Sequence, residues 1–205
     1  MTTTDQQQSL VTLDVEGVLT PEIWIAVAEK TGVAELQRTT KDEPDYSKLM
    51  AERLAVLERN EISLTDIQTV ISGLNPLEGA SEFLDELRSN VSVVLLSDTF
   101  EQFAAPLMAQ LGFPTILCHR LDVQDDKIVA YNARIEDPKL RAVKAFQGLN
   151  YRVIAAGDSY NDITMIKQAD TGFLFRSPPT VQAEFPEFLA LETYDDLLEN
   201  LLSEI

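Results

Sequence analysis

Cysteine and histidine occur once each, as Cys118 and His119. A single thiol excludes an internal disulfide, and the two residues are too few for a zinc cage of three or four Cys/His ligands. Positive charge is also scarce: 16 Lys and Arg stand against 34 Asp and Glu, a formal net charge of -18. Such a chain repels phosphate backbones and anionic membrane surfaces, so nucleic acid is not an expected partner. No apolar run in the sequence approaches the ~20 residues needed to cross a bilayer. Residues 1–9 are polar and lack the basic and apolar regions of a secretory leader. A cytoplasmic protein with no membrane partner is the expectation. An anion can still be bound if a metal ion, a Lys or Arg, or helix N-termini make its site locally positive.

At 205 residues, 45% hydrophobic and 24% charged, the chain is long enough for one large domain or for a core with a smaller appendage. The first strong signal is the run Leu10-Val11-Thr12-Leu13, which stops on Asp14-Val15-Glu16-Gly17-Val18. It reads as a buried strand feeding a loop. Acids one residue apart point to opposite faces of an extended chain, but a turn at Gly17 can bring both over the strand's end. Thr20-Pro21-Glu22 then supplies a cap, a proline at the first helical position and an acid in the first turn. Three helices follow without a strand, over 23–32, 45–60 and 63–73, the second with Leu49, Met50, Leu54 and Leu57 on one face.

From Pro76 the pattern alternates. A helix to Arg88 is followed by a strand over 91–96, a helix over 101–111, a strand over 115–118 and a hairpin of 121–123 with 128–133. A helix over 137–147, a strand over 152–156, a helix over 161–169, a strand over 172–175 and a closing helix over 194–202 complete the chain. This alternation predicts an α/β fold, a Rossmann-like parallel sheet flanked by helices. The all-helical stretch reads as a small cap inserted after the first strand, giving a core of 1–20 and 76–205 and a cap of 21–75. There it would roof the C-terminal ends of the strands, where open α/β sheets bind ligands.

Chemistry-bearing residues cluster after the predicted strands. Asp14 is placed to attack a phosphoryl group, splitting one displacement into two through an aspartyl-phosphate, with Glu16 protonating the leaving oxygen. Taken alone, the acid pair reads equally well as caps on a loop. Ser97-Asp98-Thr99 offers a hydroxyl and successive N–H groups to phosphate oxygens; a plain Ser/Thr cap competes. Lys139, just after Asp137-Pro138, can neutralise a transferring phosphoryl group or be a solvated surface lysine. In Gly157-Asp158-Ser159-Tyr160-Asn161-Asp162, Asp158 and Asp162 offer the hard oxygens that a magnesium ion takes, although a turn rich in Asp and Asn has the same composition. Gly157-Asp158-Ser159 also resembles the nucleophile string of some serine esterases, but those need a histidine after the serine, and His119 precedes it. His119 is read as a structural or supporting residue, and Trp24, Phe185 and Phe188 as core.

The order and placement of these stretches resemble the four motifs of the haloacid dehalogenase-like (HAD) phosphatase superfamily, over essentially the whole chain. The matching positions are Asp14-Val15-Glu16-Gly17-Val18, Ser97, Lys139 and 157–162. The resemblance implies Asp14 as nucleophile, Glu16 as general acid/base, and Ser97 and Lys139 as phosphate ligands. It implies Mg2+ held by the Asp14 carboxylate, the Glu16 main-chain carbonyl and Asp158, with Asp162 in support. Asp98 and Asn161 fall in the same motifs and are carried over as substrate-binding residues. Most phosphatases of the superfamily have Asp where this chain has Glu16. That departure, with Pro21-Glu22-Ile23-Trp24, Leu96-Ser97-Asp98-Thr99-Phe100 and Ala155-Ala156-Gly157-Asp158, resembles the bacterial phosphoserine phosphatases that also transfer the phosphoryl group to homoserine.

This narrower resemblance implies Mg2+-dependent hydrolysis of O-phospho-L-serine, with homoserine as an alternative acceptor. It implies, by position, Glu22 and Arg53 as ligands of the substrate's amino and carboxylate groups. Phosphoserine is a zwitterion carrying a phosphate, so an acid and a bidentate Arg suit it. A favourable helix dipole and a solvated helix face are the plainer explanations of Glu22 and Arg53. Another small phosphorylated metabolite is the alternative substrate. A non-catalytic module on the same fold is the remaining class, opposed by the joint presence of Asp14, Lys139 and Asp158. A homodimer is compatible with each of these readings.

Overall fold

The computed structural model describes residues 7–39, 42, 43 and 45–205. The strands among them are β1 (Gln8–Leu13), β2 (Ser92–Phe100), β3 (Ile116–Gln124), β4 (Lys127–Asn132), β5 (Tyr151–Gly157), β6 (Thr171–Phe175) and β7 (Leu189–Leu191). They form one sheet in the order β4-β3-β2-β1-β5-β6-β7. Neighbours are parallel except in the β3–β4 hairpin. Strands in the middle of such a sheet are covered on both faces and so are apolar on both. Val11 and Leu13 of β1 enter one core and Leu10 the other; Ile154 and Ala156 of β5 divide from Val153 and Ala155 in the same way. β1 thus lies at the centre, paired with β2 on one side and β5 on the other. The chain leaves β1 toward β2 and returns only later to β5, so the strand order reverses here and opens a crevice at the C-terminal ends of both strands.

The helices are α1 (Ile23–Thr31), α2 (Tyr46–Arg59), α3 (Leu64–Ser72), α4 (Ala80–Asn90), α5 (Glu101–Gln110), α6 (Pro138–Gly148), α7 (Ile163–Gln168), α8 (Pro179–Glu184) and α9 (Tyr194–Ser203). On one face α4, α5 and α9 bury Leu84, Leu107 and Leu197, while on the other α6 and α7 bury Val143 and Ile166. None of the described helices is long and apolar enough to cross a membrane.

The expected strand ending at Leu96 continues through Ser97, Asp98 and Thr99. The backbone stays extended there, and pairing with β3 resumes at Phe100↔His119 after a shift of register. β3 likewise runs unbroken through the gap expected between 118 and 121. The helix expected over 161–169 is a 3-10 turn, Tyr160–Asp162, followed by α7. α8 and β7 were not expected; at six and three residues they are too short to show a period.

Packing of the three helices after β1 corrects one detail of their pattern. α2 buries Leu49, Met50, Arg53, Val56 and Leu57, whereas Leu54 is only half-buried. The helix is rolled so that Arg53 faces inward, its guanidinium 4.5 Å from the ring centroid of Trp24 in α1. Trp24 itself is core, in edge contact with Phe103 of α5, and Phe185 and Phe188 pack against the opposite core. Several hydrogen bonds tie these helices to the sheet. The Tyr46 hydroxyl donates to the Asp98 carbonyl (3.0 Å), Gln68 to the Gln102 carbonyl, and the Leu64 N–H to the Asp126 carbonyl in the hairpin turn.

Candidate active site

Asp14 follows β1 directly, its N–H donating to the Ala156 carbonyl of β5 at 3.1 Å, so the chain holds its place in the sheet for one residue beyond the strand. The loop then turns back on itself. Gly17 has φ +82, and a Cβ built there would stand 2.6 Å from Asp158 Oδ2, so both the backbone and the close approach of Asp158 require glycine. This turn carries the Glu16 carboxylate to the start of α1, where Oε2 accepts the Ile23 N–H at 2.9 Å; it also bonds the Thr99 side chain. Asp14 and Glu16 therefore both lie over the crevice.

Lys139, in the first turn of α6, is 2% exposed rather than solvated. Its Nζ stands 2.9 Å from Asp14 Oδ1, 2.7 Å from Asp162 Oδ1 and 3.7 Å from Asp98 Oδ2. Asp162 uses its second oxygen to accept the N–H groups of Asp158 (3.0 Å) and Ser159 (3.1 Å), fixing the turn after β5. Gly157 admits that arrangement, because a Cβ there would fall on the Asp162 side chain. Asp98 accepts from Asn161 Nδ2 at 2.9 Å and lies 3.5 Å from His119 Nε2. Ser97 is buried, its Oγ accepting the Thr99 N–H at 3.2 Å.

Asp14, Asp158 and Asp162 each turn one carboxylate oxygen into a group whose members lie within 4.8 Å of one another. Three carboxylates against one ammonium leave the cluster strongly negative. Burial raises the Asp14 carboxyl well above its ordinary value, with Asp162 adding to the rise and Lys139 opposing it. Asp158 is pushed up to about 7 by burial, then by Asp162 and Glu22. Burial alone would lower Lys139, but Asp14, Asp162 and Asp98 raise it well above its usual range. Burial would raise Asp98 too, yet Lys139, His119 and Asn161 hold it well below the carboxylate range. A divalent cation bound by hard oxygens fits this donor set, since it supplies the positive charge the cluster lacks. Glu16 is likewise pushed up to about 7 by burial and then by Glu22, and, standing outside the carboxylate cluster, it is placed to exchange a proton near neutrality.

The remaining predicted residues, Glu22 and Arg53, lie on the helical side, near enough for their charges to bear on Glu16. Glu22 is the exposed N-cap of α1 and makes no capping bond. Arg53 is 6% exposed. One of its nitrogens donates to the Arg38 carbonyl at 2.9 Å, another reaches Met50 Sδ at 3.7 Å, and Nε has no partner among the described residues. The solvated helix face considered for Arg53 is thus excluded. Two contacts escaped the sequence reading, Thr99 on Glu16 and Tyr46 on the Asp98 carbonyl. Thr99 lay within a string already singled out, but Tyr46 is distant in sequence and carries no local signal.

An open α/β sheet with carboxylates and a buried lysine gathered at its central crevice defines a doubly wound protein equipped to hold a cation and an anion together. The comparisons with known proteins make the class specific. The chain belongs to the haloacid dehalogenase-like hydrolase family, whose model matches residues 9–170. It is 57% identical over 191 residues to phosphoserine phosphatase ThrH of Pseudomonas aeruginosa, covering 93% of each chain. It is 56% identical to a phosphoserine phosphatase of Pseudomonas syringae, covering 93% of this chain and 81% of that one. Among solved structures, a substrate-bound phosphoserine phosphatase complex superposes with a TM-score of 0.78 at 21% identity, covering 98% of this chain and 99% of that one, a likeness of fold.

Proposed function

We propose that the protein is a Mg2+-dependent phosphoserine phosphatase working through an aspartyl-phosphate, with homoserine as a second acceptor. The observation that carries this reading is the buried contact of Asp14 with Lys139 beside Asp158 and Asp162, in a chain 57% identical to a phosphoserine phosphatase. Asp14, Asp158 and the Glu16 carbonyl would hold the metal, supported by Asp162; when bound, it neutralises negative charge and polarises phosphoryl oxygens. An Asp14 carboxylate oxygen attacks phosphorus, the bond from phosphorus to the serine oxygen breaks, and Glu16 gives that oxygen its proton. In the second step water attacks the aspartyl-phosphate, Glu16 takes the proton, and inorganic phosphate leaves Asp14 free. A homoserine hydroxyl in place of the water gives phosphohomoserine. Homoserine exceeds serine by one methylene, which a pocket discriminates by only ~1–3 kcal/mol.

In this reading Lys139 balances the phosphoryl group's charge, with Ser97, Asp98 and Asn161 completing its surroundings. The helices over 23–72 cover the crevice as a cap, with the chain divided at 21–75. Glu22 faces the substrate's amino group and Arg53 its carboxylate. A buried guanidinium with a donor to spare and no carboxylate in ion-pair contact among the described residues supports that assignment, since a buried charge is costly until it is paired. The test is phosphate release from L-phosphoserine with and without Mg2+, then with homoserine added and phosphohomoserine assayed directly. Release that requires the metal, and phosphohomoserine formed at the expense of phosphate, are the expected results. Turnover of a simple aryl phosphate but not of phosphoserine would replace the substrate by another phosphorylated metabolite.

A further inference from the structure

The connection after β3 is a hairpin where a doubly wound sheet more often sends a crossover helix. On the face carrying α6 and α7, the hairpin leaves β3 without a following helix, and α6 packs chiefly on β5 and then on β2. The gap is a cavity of about 330 Å³, floored by Leu96 and Leu117 and walled by Ala142 and Phe146 of α6. The segment between β4 and α6 adds Arg134 and Ile135 to the lining. The volume lies at the lower end of the range for small-molecule pockets (~300–1,000 Å³).

The charge of this cavity is the reverse of the protein's. The chain carries 34 acids against 16 bases, yet no Asp or Glu lines the cavity, while Arg134, Lys139 and Arg141 do. Lys139 is occupied by Asp14 and Asp162. Arg141 donates to the Glu136 carbonyl at 2.8 Å and stands 3.9 Å from its carboxylate. Arg134 is exposed and its side chain has neither hydrogen bond nor ion pair among the described residues, so its guanidinium is free to meet an anion that enters the cavity. The Cys118 thiol on the floor, pushed up to about 11 by burial, is neutral and behaves as an apolar surface.

We propose that this cavity binds a small organic monoanion, a carboxylate with a short apolar body, its carboxylate on Arg134 and its body against Leu117, Ala142 and Phe146. Inorganic phosphate would leave the apolar walls unused. A second copy paired about a two-fold axis through the cavity would set its arginines against one another. The inference stands independently of the proposed substrate, although the cavity backs onto the candidate active site through Ser97 and Lys139.

Calorimetric titration of the full chain with phenylacetate tests it, with the neutral phenylacetamide as control. One-to-one saturable binding is expected, half-maximal near about 1 mM, with the amide at least tenfold weaker. Arg134→Gln should weaken phenylacetate at least fivefold, and Ala142→Leu, which fills the wall, at least tenfold. Ala145→Leu, at an exposed position on the same lining, serves as the filling variant if Ala142→Leu does not fold. No heat up to about 20 mM phenylacetate, equal binding of the amide, or full affinity in the filled variant would each overturn the proposal. So would a wild-type dimer by sedimentation that becomes monomeric on filling, which would assign the face to a second copy.

Discussion

The two sides of the candidate site are built on different plans. On the sheet side Asp14, Lys139 and Asp162 are 4%, 2% and 0% exposed and are bonded to one another, Asp162 using its other oxygen to pin the turn that carries Asp158. On the helical side Arg53 is almost as buried, at 6%, but keeps an unpartnered Nε, and Glu22 is exposed and caps nothing. Buried charges that pair with each other are in place before any ligand arrives. A buried charge with a donor to spare gains most from the ligand that completes it. On the reading proposed above, the sheet side is set for one chemistry and the helical side for the choice of substrate.

The largest effect that would break this contrast is sought at the sheet side. Asp14→Asn is expected to lower kcat by at least about 1,000-fold on phosphoserine and on an aryl phosphate alike, because it removes the attacking group. Its circular dichroism should match the wild type, and the metal-free variant should melt no lower, since burial and the charge of Asp162 both disfavour a carboxylate at Asp14. Retained turnover would rule out the covalent mechanism. Next in size is Arg53→Ala, expected to lower kcat/KM for phosphoserine by about 10- to 100-fold, the worth of a charge-assisted hydrogen bond, while changing 4-nitrophenyl phosphate hydrolysis less than about threefold. Equal losses on both substrates would erase the distinction between the two sides.

Legibility followed the same division. The sheet side could be read because Asp14, Ser97, Lys139 and Asp158 each follow an apolar run or open a helix, so strand order alone gathers them at one edge. The sequence could not reveal that Lys139 would lie between Asp14 and Asp162, contacts that span 125 and 23 positions. On the helical side the stripe of α2 was drawn through Leu54, the apolar choice, and the helix is instead rolled to put Arg53 against Trp24. Apolar periodicity cannot register a charge that is buried by an aromatic ring. The strand continuing through Ser97 to Thr99 was missed for a related reason: Ser, Asp and Thr carry turn chemistry locally, and only the resumed pairing of Phe100 with His119 keeps them extended.

The smallest expected effect lies where the two sides meet. Tyr46, near the start of α2, donates its hydroxyl to the carbonyl of Asp98, whose carboxylate in turn faces Lys139, His119 and Asn161. The ring also stands edge-on to Tyr131 of the β3–β4 hairpin, 5.9 Å between centroids, so its position does not depend on the hydroxyl alone. Tyr46→Phe keeps that ring contact and removes one neutral hydrogen bond, which predicts a stability loss of about 1 kcal/mol in denaturant melts. The Asp98 carboxylate keeps its other partners, so kcat on phosphoserine should fall less than about threefold, with the aryl phosphate following it. A loss on phosphoserine alone, as large as that of Arg53→Ala, would mean that the hydroxyl sets the distance between the helices and the sheet, and that substrate choice rests on this one bond as well as on the charges that face the crevice.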